Sequence, residues 1–218
     1  MKNNITEIVF ILDRSGSMGG LESETIGGYN SLLKKQKELP GEAVVTTVLF
    51  DNEYEVLHDR INSKAIKPIT EDDYFVRGTT ALLDAIGKTI SKIETAQKNT
   101  MAKYKADKVI VAITTDGMEN ASKEYSLQKI KEIIEHKQER FGWEFMFLGA
   151  NMDAIFTAQQ MGIKASHAAN FHADSVGVEV QYDHYNEVVS RLRMNKVVKE
   201  NWQEEMEDAY QEKIKEIE

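Results

Sequence analysis

Three short stretches of this 218-residue chain gather hydroxyl and carboxylate side chains. They read Asp13-Arg14-Ser15-Gly16-Ser17, Gly78-Thr79-Thr80-Ala81-Leu82-Leu83-Asp84 and Thr114-Thr115-Asp116-Gly117. The chemistry on offer is oxygen ligation by short side chains, with no His or Cys among them. Such a set favours a hard divalent ion, Mg²⁺ first, with Mn²⁺ or Ca²⁺ as alternatives. Ser15 and Ser17 stand two apart, so in extended or turn geometry their hydroxyls point to one side. Gly16 between them lets the backbone approach closely. Asp13 can hold the cluster by accepting hydrogen bonds or by binding metal-bound water. The plainer reading of Ser15-Gly16-Ser17 is a strand-to-helix turn with a capping hydroxyl.

The surrounding pattern says what must position these stretches. Ile8-Val-Phe-Ile-Leu12 is a short apolar run ended by turn residues, the mark of a strand buried on both faces. Ile26, Tyr29, Leu32 and Leu33 follow at helical spacing up to Pro40-Gly41. Ala43–Phe50 and Tyr54–Ile61 read as a hairpin around Asp51-Asn52. A polar connection, 62–78, precedes a long amphipathic helix from Ala81 to Met101. Lys108–Thr115 is the next buried strand, and Leu127, Ile130, Ile133 and Ile134 mark a helix. Trp143–Leu148, a short helix at Asp153–Met161, a weak strand at Ala168–Phe171 and a helix at Ser175–Arg193 complete the order. Strands alternating with helices predict a three-layer α/β/α fold with a mostly parallel central sheet; the hairpin adds one antiparallel edge strand. Ligands in such sheets bind beyond the carboxyl ends of the strands, where strand order reverses. That places the three stretches in the loops that matter.

Asp-x-Ser-x-Ser after the first strand, a Thr ahead of a helix and Asp-Gly after a later strand resemble the von Willebrand factor A (vWA) domain, over roughly residues 5–193. The resemblance implies a Rossmann-like vWA fold and a metal-ion-dependent adhesion site (MIDAS). It assigns the metal ligands to Asp13, Ser15, Ser17, Thr80 and Asp116. Thr80 is preferred to Thr79 because Thr-Ala-Leu-Leu-Asp resembles the family's Thr-x-Leu-x-Asp. Asp116-Gly-Met-Glu-Asn-Ala-Ser122 and Phe147-Leu-Gly-Ala-Asn151 resemble a bacterial and phage subgroup. In the family the Ser hydroxyls contact the metal and the Asp residues act largely through water. A metal held mainly by neutral ligands stays electrophilic, with one position open. The implied function is a protein-interaction module, not an enzyme, whose partner supplies an Asp or Glu carboxylate to the metal. The alternative is a Mg²⁺-dependent phosphohydrolase with Asp13 as nucleophile. That chemistry needs a second Asp two residues on as general acid, and Ser15 stands there. No nucleophile elbow, phosphate loop or dinucleotide fingerprint is present.

Composition excludes other classes. The chain has no Cys, which removes disulfide, zinc-ribbon and thiol chemistry. Its net charge of −9 offers no footprint for nucleic acid. No apolar run approaches the ~20 residues of a membrane span, and Ile8–Leu12 is too short for a signal core, so a cytoplasmic setting is expected. Residues 1–194 read as the vWA domain and 195–218 as an acidic amphipathic C-terminal helix. Its stripe of Val198, Trp202, Met206, Tyr210, Ile214 and Ile217 is expected to pack on the domain, with self-association or partner pairing as the alternative. Arg14 is expected at the surface, with contact to an incoming carboxylate as the alternative; Glu119 and Asn120 are expected in a solvated loop, with the rim of the site as the alternative; the five His are expected in surface or capping positions.

Overall fold

The structure is a computed structural model that describes residues 4–150, 152–199 and 201–217. Asn151, which ends one of the quoted subgroup stretches, lies outside the described residues.

All nine residues of β1 (Ile5–Asp13) are buried, as a central strand covered on both faces requires. Helix α1 (Glu22–Glu38) follows, and Gly41, at φ 85°, turns the chain into β2 (Glu42–Phe50). Only a residue without Cβ takes that φ at little cost. Strand β3 (Tyr54–Asn62) returns antiparallel to β2 and is half exposed, as an edge strand. Then come α2 (Leu82–Asn99), β4 (Lys108–Thr115), α3 (Leu127–Phe141), β5 (Glu144–Gly149) and α4 (Ala154–Gln160). Strand β6 (Ala168–Asn170), α5 (Ser175–Arg193) and α6 (Trp202–Ile217) complete the chain. The sheet order is β3-β2-β1-β4-β5-β6. Every pairing is parallel except β2 with β3. This is the expected α/β architecture with one antiparallel edge.

Alternation along β1 divides the core. Ile8, Phe10 and Leu12 face α1 and α5, where Phe10 meets the Tyr29 ring edge-to-face at 5.3 Å. Val9 and Ile11 face the opposite layer with Ile86, Ile90, Ile130 and Ile134. Local signals agree with these ends. Ser126 Oγ accepts the Lys129 N–H to cap α3, and Asp174 accepts the Gly177 N–H to cap α5.

Two regions differ from the sequence pattern. The 62–78 connection is not merely polar, because Ile66, Ile69 and Tyr74 are buried in the main core. Asn30 of α1 clamps it by accepting the Ile69 N–H and donating to the Ile69 carbonyl, both at 2.8 Å. Its apolar residues have neither a strand nor a helix period because they anchor a loop. The C-terminal stripe packs on the domain as expected from Val198 through Tyr210 and departs from the pattern only at its end. Val198, Trp202 and Met206 join the core that holds Ile8 and Phe10, and Trp202 Nε1 donates to the Ser166 carbonyl at 2.9 Å. Ile217 is exposed. Among the described residues no helix is long and apolar enough to cross a membrane.

Candidate metal centre

Strands β1 and β4 are neighbours, and the chain runs outward from them in opposite directions across the sheet. Their carboxyl ends therefore open into a crevice, the expected place for a ligand in an open parallel sheet. Asp13 is the last residue of β1 and is 1% exposed. Its Oδ1 accepts the Ser15 N–H at 2.7 Å, its Oδ2 accepts from Thr115 Oγ1, and its carbonyl accepts from Tyr74 Oη at 2.6 Å. Asp13 thus bends the chain at Ser15 and ties the ends of β1 and β4 together.

From that bend the hydroxyls converge. Ser15 Oγ lies 3.1 Å from Ser17 Oγ and accepts from Thr80 Oγ1 at 3.0 Å. Ser17 Oγ donates to Asp116 Oδ1 at 2.6 Å. The other carboxylate oxygen, Asp116 Oδ2, is buried with no hydrogen-bond partner among the described residues. A Cβ placed on Gly117 would lie 3.0 Å from both Ser17 Oγ and Thr80 Oγ1, and 3.7 Å from Ser15 Oγ. Glycine therefore leaves open the space that the three hydroxyls surround. Ser15, Thr80 and Asp116 are buried, while Ser17 and Gly16 are exposed, so the cluster has one open side.

The electrostatics fit a cation. Burial pushes the Asp13 carboxyl up to about 6, against the opposing hydrogen bonds from Thr115 and Ser15. Burial also raises Asp116, against the Ser17 hydrogen bond. Among the described residues neither carboxylate has a cationic partner within ion-pair distance. An orphaned carboxylate oxygen, three convergent hydroxyls and two uncompensated acids form a donor set suited to Mg²⁺ or Mn²⁺. Among the described residues no three His, Cys, Asp or Glu converge, so the neutral hydroxyls are essential to this reading.

All five predicted residues therefore meet at one place. Thr80 points inward, whereas Thr79 is exposed and its N–H is directed at Asn52 Oδ1. Two expectations require correction. Arg14 is not at the surface but fully buried, with Nε 3.0 Å from Asp51 and Nη1 2.7 Å from Glu55. The side chain turns away from the crevice into the β2–β3 hairpin, where buried Asp51 needs a counter-charge. Glu119 and Asn120 do not sit in a merely solvated loop. The Glu119 carboxylate accepts from the Leu83, Ala121 and Ser122 N–H groups and from Ser122 Oγ. Asn120 Oδ1 accepts the Thr80 N–H at 2.9 Å. The reasoning from sequence also missed Thr115 and Tyr74 as partners of Asp13; no local spacing announces them. The histidines stand in structural contacts, such as His167 with Glu144 and His172 with Glu207 and the Tyr210 ring.

The same geometry bears on the nucleophile alternative. Both Asp13 carboxylate oxygens are occupied by donors, and the group is buried. An attacking carboxylate also needs an open approach to its electrophile, and Asp13 is 1% exposed.

No family model and no curated protein matches the chain. Solved structures do resemble it. A von Willebrand factor type A protein from Catenulispora acidiphila aligns with a TM-score of 0.61 at 14% identity, covering 85% of this chain and 42% of that one. Proximal thread matrix protein 1 from the mussel byssus, with a zinc-occupied MIDAS motif, gives 0.57 at 13% identity, covering 85% and 46%. The manganese-loaded TRAP protein of Plasmodium vivax gives 0.57 at 18% identity, covering 83% and 73%. This chain spans about half the length of most of these matched chains. Sheet order, crevice and structural likeness together give this chain the von Willebrand factor A fold.

Proposed function

We propose that this protein is a metal-dependent protein-interaction module. Asp13, Ser15, Ser17, Thr80 and Asp116 would hold a divalent cation, Mg²⁺ in the first instance. Bound there, the ion supplies an electrophilic centre for an Asp or Glu carboxylate of a partner protein. The observation that carries this reading is the space facing Gly117, enclosed by three hydroxyls from two loops beside the unpartnered Asp116 oxygen.

The chain's own residues divide the work. Ser15, Ser17 and Thr80 present lone pairs without adding charge. Asp116 supplies charge from the opposite loop, and Asp13 fixes Ser15 while balancing the cation. Gly16 and Ser17 leave the face open to a partner. Two structural relatives, one with a zinc-occupied MIDAS motif and one loaded with manganese, support a divalent ion as the bound species. The burial of Asp13, and Ser15 in place of a second Asp, weigh against the phosphohydrolase alternative. The Asp116–Ser122 and Phe147–Asn151 stretches support a bacterial or phage subgroup, and a cytoplasmic setting is part of the same proposal.

Thermal melting tests the metal. At about 100 times its Kd a ligand adds about 2.7 kcal/mol. For a chain of this size that raises Tm by about 5–10 °C. Mg²⁺ or Mn²⁺ is expected to produce this rise, chelator to reverse it, and Asp116→Ala to abolish it. An equal rise in Asp116→Ala would overturn the assignment.

A further inference from the structure

Beside the metal centre runs an apolar groove of about 300 Å³. Gly117 belongs to both: its open face looks onto the three hydroxyls, and it also lines the groove. Met118, Leu127 and Phe156, from the loop after β4, the start of α3, and α4, line the groove and are all exposed, Met118 at 72% and Phe156 at 57%. Buried Leu82 and Leu83 form part of its floor. Exposed apolar side chains gathered from separate elements around one concavity mark a binding surface more than scattered ones do. Met side chains adapt to varied apolar shapes.

The charged residue of the groove is already committed. Glu119 turns its carboxylate onto the Leu83, Ala121 and Ser122 N–H groups. The groove therefore asks for an apolar occupant. We propose that the groove receives a large apolar side chain, Leu, Met or Phe, of the same partner segment whose Asp or Glu binds at the metal centre. The recognised element is an acidic residue paired with a large apolar one. This rests on the metal-site reading above, and it is continuous with that site through Gly117.

Small carboxylates separate the two claims. The full chain, with ¹³C-methyl Met and saturating Mg²⁺, is titrated with acetate, 4-methylpentanoate and the uncharged 4-methylpentanol, following the Met118 and Met152 methyl signals. The apolar tail is expected to lower the half-saturating concentration at least about tenfold relative to acetate, given the worth of each buried methylene. The alcohol is expected to bind far more weakly than the tailed acid. Phe156→Ser is expected to remove the advantage of the tail while keeping the Mg²⁺-induced rise in Tm. Equal binding of acetate and 4-methylpentanoate overturns the groove proposal and leaves the metal reading standing. A tail effect that persists in chelator also overturns it, because the groove would then act without the metal. A missing Mg²⁺ response in the melting curve overturns both. Methyl shifts that change on dilution without ligand would instead place a second copy in the groove.

Discussion

Asn120 and Thr80 are hydrogen-bonded to each other twice. Asn120 Oδ1 accepts the Thr80 N–H at 2.9 Å, and the Asn120 N–H donates to the Thr80 carbonyl at 3.0 Å. The loop after β4 thereby fixes the residue that opens α2. Two stretches 40 residues apart in sequence hold one hydroxyl in place.

Asn120→Ala removes the side-chain half of that clamp while leaving every proposed ligand in place. Groups that orient metal ligands typically contribute 10–100-fold to affinity. Titration calorimetry with Mn²⁺ is expected to show roughly tenfold weaker binding, with the metal-free Tm nearly unchanged. Unaltered affinity would show that Thr80 needs no such support.

Gly117→Ala tests the enclosed space directly. The added Cβ would lie 3.0 Å from Ser17 Oγ and Thr80 Oγ1, in the volume proposed for the cation. Far-UV circular dichroism is expected to report an intact fold, and the Mg²⁺-induced rise in Tm is expected to vanish. A full metal response would move the ion's position away from Gly117.

Asp84, outside the proposed ligand set, gives a second pH dependence. Burial pushes its carboxyl up, but N–H bonds from Lys123, Tyr125 and Glu124, each 2.9 Å, outweigh this and hold it below the ordinary Asp range. The unfolded carboxyl titrates near 4. Folding therefore favours the ionised form: the stabilisation is present above about pH 4 and is lost as pH falls through the lower folded value. Asp84→Asn is expected to cost about 1–2 kcal/mol at pH 7, from weakened acceptors for three N–H groups. The gap between the variant and the native chain in urea unfolding should narrow below pH 4.

Arg14→Met leaves buried Asp51, among the described residues, with only the half-exposed Arg77 as ion-pair partner, 2.8 Å away. Breaking a buried ion pair from one side costs about 3–5 kcal/mol, and the remaining Arg77 places this case at the lower end. Arg14→Lys keeps the charge but not the forked geometry that reaches both Asp51 and Glu55. Urea unfolding is expected to rank the native chain above Lys and Lys above Met.

Strands and long helices were legible because their physics is local. Ile8–Leu12 could only be a covered strand, and α5 runs over the predicted Ser175–Arg193. The candidate ligands were legible because Ser15, Ser17, Thr80 and Asp116 each stand next to a strand end or helix start that the apolar pattern locates. What escaped was set by distant partners. Arg14 is buried because Asp51 and Glu55, 37 and 41 residues on, await it. Tyr74 lies 61 residues from the Asp13 carbonyl it holds, in a connection whose apolar residues have no period. Thr79 and Thr80 are chemically identical, so their spacing alone did not separate them; the resemblance chose Thr80, the one that Asn120, 40 residues on, holds by two hydrogen bonds.

The parallel pairing of β1 with β4 also has a mechanical meaning. Both strands end at the crevice, joined in register from Thr6 and Lys108 to Leu12 and Thr114. A pull on anything gripped there would run down the two strand axes into the middle of the sheet. β2 flanks β1 and β5 flanks β4, so the load would shear whole ladders at once and not peel them bond by bond. A partner bound as proposed would thus be held at the carboxyl ends of the two central strands of the sheet.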